Sequence, residues 1–246
     1  MPPQDGSNSR MEKAAASETV ARLPAAQRRW AELHGFAGSL GEVVGLPGAD
    51  GTMEAALIGW GDAASRGTTR FALAKAMPRL PAGTYRLDTP LAPEAAEEAA
   101  LGWMLEGYRF DTYRSHDATT RDLVVPASVE AARLEAIAAG VFTGRDLINT
   151  PASDMGPDAL EDAVRRIAAA HGADLAVTSG DDLLIANLPM IHTVGRAGAQ
   201  APRLLDLRWG QPGDPAVTLV GKGVCFDTGG LDLKPAAAMR LMKKDM

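Results

Sequence analysis

The sequence is poor in the residues that build disulfides and compact zinc cages. Its 246 residues include one cysteine and four histidines that lie far apart in the chain. One cysteine excludes an intrachain disulfide, and the scattered histidines exclude a Cys/His zinc cage. Positive charge is in the minority, because 25 Lys and Arg residues stand against 31 Asp and Glu, for a net charge of −6. This balance disfavours nucleic acid as a partner, because phosphate contacts need clustered basic residues.

Long apolar runs are also lacking. No stretch approaches the ~18 apolar residues that a membrane helix needs. Residues 1–21 are polar and rich in small side chains, without the apolar centre of a secretory signal, and are predicted to form a flexible tail. We therefore expect a cytoplasmic protein with no membrane partner. The length and the 46% hydrophobic content suit one large domain or two modest ones.

Residues 22–127 are predicted to form an N-terminal α/β domain, because strand-like and helix-like segments alternate there. The turn at 48–51 is expected to join two strands as a hairpin. Pro78 and Pro81 are expected to end the second helix. The predicted helices are 23–36, 68–77 and 93–105, and the predicted strands are 42–47, 54–60, 84–88, 108–113 and 122–126.

Residues 128–149 are predicted to form a linker helix, since their apolar side chains recur at helical spacing. Residues 150–246 then form a second α/β region. Its last two apolar runs, 203–209 and 216–224, are bounded by glycine and proline, a pattern that suits buried strands and is compatible with a parallel pair. The predicted strands are 173–179, 203–209 and 216–224, and the predicted helices are 157–171 and 181–188.

A glycine-rich segment with several charged side chains follows the last apolar run. Glycine lets a backbone approach a ligand closely, and the carboxyl ends of strands are where α/β folds place their sites. The segment therefore predicts a functional site. Plainer interpretations stay open: Lys222 also fits a solvated strand end, Asp227 a glycine-rich turn, and Asp245 an exposed helix position.

Three chemical interpretations of this segment compete. A Walker phosphate loop requires Ser or Thr after its lysine, whereas Gly223 follows Lys222, so we reject it. Residues 227–229 match the D-T-G of aspartic proteases, but those enzymes need two such aspartates, so we interpret the match as chance. Metal ligation is the third interpretation, because carboxylates and a deprotonated amine suit Zn²⁺ or Mn²⁺.

The segment VGKGVCFDTGGLDLKPAAAMRLMKKDM (220–246) resembles the signature of the leucyl (cytosol) aminopeptidase family. RDLINTPASDMGP (145–157) and VGRAGAQAPRLLDLRW (194–209) resemble the same family. The resemblance implies an α/β fold whose catalytic domain, residues 150–246, has a mixed, largely parallel sheet. It also implies a metal-dependent aminopeptidase that releases N-terminal residues from peptides with water activated by two metals, Zn or Mn. A homo-oligomer, a hexamer in the family, is expected.

The resemblance also assigns roles to single residues. Lys222, Asp227 and Asp245 would be metal ligands, with Lys222 binding through its neutral amine and Asp227 bridging both ions. Lys234 would be the catalytic residue that polarises the scissile carbonyl or stabilises the oxyanion.

The family's second ligand cluster, N-T-D-A-E-G-R, does not occur in the 246 residues. The resemblance therefore implies a truncated catalytic domain with part of its ligand set, an unpaired strand edge and an uncovered core. We expect no activity from this chain alone. The alternative function is a non-catalytic binding or oligomer-assembly module of the same fold.

Overall fold

The computed structural model describes residues 16–116 and 119–245, with the side chains of residues 244 and 245 outside the description. Its contacts divide the chain into two units, with the boundary between Phe142 and Thr143. This boundary falls inside the helix that the sequence predicts as a linker.

The first unit contains a hairpin, a parallel strand pair and helices that pack against them. β1 and β2 are antiparallel, with Val43 opposite Ile58, and β3 and β4 are parallel, with Gly83 opposite Arg121. The elements are α1 (Ala25–Leu33), β1 (Val43–Pro47), β2 (Met53–Ile58), α2 (Ala63–Gly67), a 3-10 helix (Ala72–Arg79), β3 (Gly83–Arg86), α3 (Pro93–Glu106), β4 (Arg121–Val124) and the start of α4 (Ala131–Asn149).

Two apolar clusters stabilise this unit. In the larger cluster, α3 packs on the 3-10 helix through Trp103, whose indole N–H donates to the carbonyl of Arg121 at 2.8 Å. That bond ties α3 to β4, because a buried indole needs a hydrogen-bond acceptor. The buried members are Leu73, Met77, Leu80, Ala99 and Trp103 in the larger cluster, and Ala31, Val44, Leu46 and Leu57 in the smaller one.

Three predictions for the first unit were wrong in detail. Residues 16–21 of the predicted tail are helical, because Val20 packs against the smaller cluster; residues 1–15 lie outside the described part. The predicted helix 68–77 is the 3-10 helix Ala72–Arg79, which contains Pro78. Residues 108–113 are not a strand; their rings pack in tilted pairs, Tyr108 with Phe142 and Phe110 with Tyr113.

The second unit is built around an antiparallel strand pair. β5 and β6 are antiparallel, with Asp174 opposite Arg208, an arrangement that a mixed sheet contains. Two short helices connect the strands and reverse the direction of the chain, so β6 runs antiparallel to β5. The elements are α5 (Pro157–His171), β5 (Asp174–Ser179), α6 (Asp182–Ile185), α7 (Pro189–Gly195), β6 (Arg203–Arg208), α8 (Ala236–Met239) and a 3-10 helix (Met242–Asp245).

Residues 216–224 form no strand, contrary to the prediction. A strand needs hydrogen bonds to a neighbour, and within the described residues no other strand pairs with this segment. Val217, Leu219 and Val220 are 84%, 92% and 93% exposed. This surface fits the expectation of an uncovered apolar core. Across the described ranges, no helix is both long enough and apolar enough to cross a membrane.

Candidate functional site

A tight loop at residues 227–234 forms the centre of the candidate site. The backbone N–H of Lys234 donates to the carbonyl of Thr228 at 2.9 Å and closes the loop. The four residues at positions 229–232 have φ of 81°, 77°, 48° and 57°. Two of these are glycines, but Leu231 and Asp232 occupy the left-handed region at a conformational cost. The fold of the loop therefore brings its two charged ends together.

Asp227 and Lys234 form an ion pair across this loop. The Nζ of Lys234 lies 2.8 Å from Oδ2 of Asp227, and both side chains are about one-third exposed. The other oxygen, Oδ1, accepts the N–H of Gly229 at 2.8 Å. The hydrogen bond from Lys234, followed by that from Gly229, lowers the pKa of Asp227, and the charge of Lys222 contributes as well. Asp227 is therefore an anionic oxygen donor at neutral pH.

The other predicted ligands, Lys222 and Asp245, are less completely located relative to this ion pair. Lys222 is exposed and close enough to influence Asp227 electrostatically. The Nζ of Lys234 also donates to Sδ of Met242 at 3.4 Å, so the 3-10 helix that carries Asp245 lies against the loop. The side chain of Asp245 is outside the described part, and its role stays a prediction.

Helix α5 supports the segment that leads into the loop. A Cβ placed on Gly223 would lie 3.0 Å from Cδ2 of Leu160, so the two residues are packed closely. From β6, Arg203 forms ion pairs with Asp158 and Glu161 on the first turns of α5. This network was not predicted from the sequence, although an arginine at a strand start and acidic residues in a first helical turn were visible signals.

Cys225 lies between Lys222 and Asp227. Burial raises the pKa of its thiol, and the charges of Lys243 and Arg203 oppose that rise more weakly. A neutral thiol is a poor nucleophile and a poor metal ligand. Cys225 therefore serves as a small packing residue, as sequence pattern alone suggests.

The side chains at this site can provide some of the ligands of a metal ion. Asp227 offers a carboxylate oxygen and Lys222 an amine nitrogen, both of which bind Zn²⁺ or Mn²⁺ when deprotonated. No group of three or more His, Cys, Asp or Glu side chains able to hold an ion occurs among the described residues. The described side chains can therefore start a metal site but do not complete one.

The sequence patterns of two domains match most of the chain. That of the cytosol aminopeptidase family, catalytic domain, matches residues 142–246. That of the M17 aminopeptidase, N-terminal domain, matches residues 9–126. Together they define a peptidase with an N-terminal domain and a catalytic domain that is partly present. The chain belongs to the cytosol aminopeptidase family, and the family prediction is confirmed.

Individual relatives agree with this assignment. A probable cytosol aminopeptidase of Geobacter sp. (strain M21) is 36% identical over 183 residues, which are 67% of this chain and 37% of the relative. The crystal structure of the Coxiella burnetii cytosol aminopeptidase matches with a TM-score of 0.86 and 36% identity, over 95% of this chain and 50% of that chain. The bottromycin maturation enzyme BotP in complex with Mn matches with a TM-score of 0.76 and 37% identity, over 91% and 50% of the two chains.

These matches confirm the α/β fold class, with an N-terminal domain and part of a catalytic domain. They also show that the chain spans at most about half the length of these relatives. The relatives carry the names of aminopeptidases, which are enzymes.

Proposed function

We propose that this chain supplies the N-terminal domain and the first part of the catalytic site of a metal-dependent aminopeptidase. The main support is the ion pair between Asp227 and Lys234 across one glycine-rich loop. This loop lies inside the segment that matches the family's catalytic domain. A carboxylate and an ammonium side by side provide one group for a metal and one for a substrate carbonyl. The names of the relatives support peptides with a free N-terminus as substrates, and the cytoplasm as the location.

Metal ligation is proposed for Lys222, Asp227 and Asp245. The lowered pKa of Asp227 keeps its carboxylate ionised, as a metal ligand must be, and Lys222 can bind through its amine after losing a proton. Two ions, Zn²⁺ or Mn²⁺, supply Lewis acidity when bound, and this chemistry activates water at neutral pH. The BotP structure with Mn supports Mn²⁺ as a suitable ion.

Lys234 is proposed as the catalytic residue. Its ammonium lies beside Oδ2 of Asp227 and Sδ of Met242, so it is close to the carboxylate proposed to bind metal. A fixed positive charge stabilises the negative oxygen that develops when a carbonyl is attacked. Lys234 would thus polarise the scissile carbonyl of the N-terminal residue.

Hydrolysis of a leucyl chromogenic amide tests this function. With Mn²⁺ or Zn²⁺, we expect no turnover by the 246-residue chain and clear turnover by the protein translated from a reading frame that continues past codon 246 with N-T-D-A-E-G-R. In that longer protein, Lys234→Met should lower kcat about 100-fold or more, while the exposed control Lys75→Met should not. Full activity of Lys234→Met, or turnover by the 246-residue chain alone, would contradict the proposal.

The exposure of residues 217–220 favours a second candidate, an assembly module without catalysis. A family hexamer that forms without peptide hydrolysis would support this alternative. Sedimentation velocity on the same samples measures the oligomer, so one preparation distinguishes the two functions.

A further inference from the structure

The ion pair at the candidate site occupies the atom that a metal would need. Oδ2 of Asp227 receives the ammonium of Lys234 at 2.8 Å. A Zn²⁺ ion binds carboxylate oxygen at about 2.0–2.2 Å. Two cations that share one oxygen at these distances repel each other strongly, because Coulomb energy rises as separation falls.

We propose that Lys234 and a divalent cation compete for Oδ2 of Asp227, so that the ion pair is a latch that metal binding opens. This inference rests on the proposed role of Asp227 as a metal ligand. Before metal binds, the latch neutralises Asp227. After metal binds, the ammonium of Lys234 leaves the carboxylate and becomes available to a substrate carbonyl.

The latch is built to open. Its two side chains are about one-third exposed, and ion pairs at such positions hold weakly. A divalent ion carries twice the charge of an ammonium and can take its place. The loop between the paired residues contains Leu231 and Asp232 in left-handed backbone, a conformation that side chains disfavour. The backbone hydrogen bond from Lys234 to Thr228 closes this loop independently of the ion pair, so the loop can stay folded when the latch opens.

Oδ1 of Asp227 stays oriented while Oδ2 changes partner. The N–H of Gly229 donates to Oδ1 at 2.8 Å and belongs to the backbone, so it can persist in both states. Lys234 has a long, flexible side chain, and its Nζ already contacts Met242 at 3.4 Å. The exchange thus needs movement of one side chain rather than of the whole loop.

Lysine acetylation followed by mass spectrometry tests the latch on the 246-residue chain. Adding Mn²⁺, compared with K⁺ at equal ionic strength, should raise acetylation of Lys234 about two- to fivefold, the range that a weak ion pair allows. Acetylation of Lys222 should fall, because its amine becomes a ligand. Lys75, exposed in the first unit, should not change.

Acetylation of Lys222 tests the proposed metal ligation, and acetylation of Lys234 tests the latch. Protection of Lys222 without a rise at Lys234 would overturn the latch and leave the metal ligands in place. No protection of Lys222 would overturn the proposed metal ligation itself. Asp227→Asn should raise acetylation of Lys234 without metal and abolish the response to Mn²⁺; wild-type labelling in this variant would overturn the latch.

A binding measurement provides an independent check. Electron paramagnetic resonance of free Mn²⁺ reports weak affinities, and Lys234→Met should lower the Kd for Mn²⁺ about two- to fivefold because the competing cation is gone. Lys75→Met is the matched control. An unchanged or higher Kd for Lys234→Met would overturn the competition.

Discussion

Arg203, the first residue of β6, is paired through its guanidinium with Glu161 of α5, and the two side chains are 13% and 12% exposed. The same guanidinium also pairs with Asp158. These contacts fasten α5 to β6. Since Gly223 packs against Leu160 of α5, they also support the segment that enters the candidate site.

Removing this guanidinium should destabilise the second unit. Arg203→Met leaves Asp158 without this partner and Glu161 with Arg165 alone, and weakening such a partly exposed network costs ~2–3 kcal/mol. Urea denaturation followed by Trp209 fluorescence measures the loss. Arg208→Met is the control on the same strand, since Arg208 is 80% exposed and pairs with Asp206. Equal stability of the two variants would refute the role of Arg203.

Acid should weaken the same network. Hydrogen bonds from Arg165 and then Arg203 lower the pKa of Glu161 in the folded state from its ordinary 4.5. A lowered pKa contributes stability above pH 4.5, and this contribution is lost as the pH falls through the folded-state value. We expect the free energy of unfolding to decrease with acidification below about pH 5, and to decrease less in Glu161→Gln. Parallel pH profiles for wild type and variant would contradict this account.

Gly102 in α3 should reject a methyl group. A Cβ at this position would lie 2.8 Å from Cβ of Phe71, whereas at Gly140 of α4 it would meet nothing within 4 Å. Gly102→Ala should therefore destabilise the first unit by ~1–3 kcal/mol. Gly140→Ala should stabilise the helix by up to ~1 kcal/mol, as alanine normally does. Thermal unfolding measures the change in stability of both variants. Stabilisation by both would show that the Phe71 side chain moves away to make room for the methyl group.

Alanine substitutions at Gly229 and Gly230 distinguish the effect of backbone strain from the effect of displacing the Lys234 side chain. Both have positive φ, so alanine at either should cost ~1–2 kcal/mol. A Cβ on Gly229 would lie 2.9 Å from Cγ of Lys234, while one on Gly230 would meet nothing within 4 Å. Only Gly229→Ala should increase acetylation of Lys234. A similar increase in Gly230→Ala would assign the effect to general loosening of the loop.

Local signals in the sequence were sufficient for several elements. Pro93 at the first turn of α3 and Pro157 at the first turn of α5 marked where these helices begin. The glycine-containing turn at 48–51 correctly indicated the hairpin of β1 and β2. In each case the deciding interactions lie within a few residues of the chain.

Pairing between distant residues could not be predicted in this way. An apolar run does not reveal whether a partner strand exists, so 216–224 was expected as a strand but pairs with no strand in the described part of the chain. At the site, sequence resemblance selected Asp227 and Lys234. Their contact depends on left-handed backbone at Leu231 and Asp232, which residue preferences disfavour. The metal-binding and catalytic roles stay predictions.

The exposed apolar segment at 216–220 has a practical consequence for the purified protein. Its backbone can accept hydrogen bonds from strands of other molecules, and its apolar side chains favour such stacking. At high concentration, samples should form thioflavin-binding aggregates whose growth starts at this segment. A charged substitution such as Leu219→Lys should slow that growth, much as charges placed on open sheet edges keep natural proteins in solution.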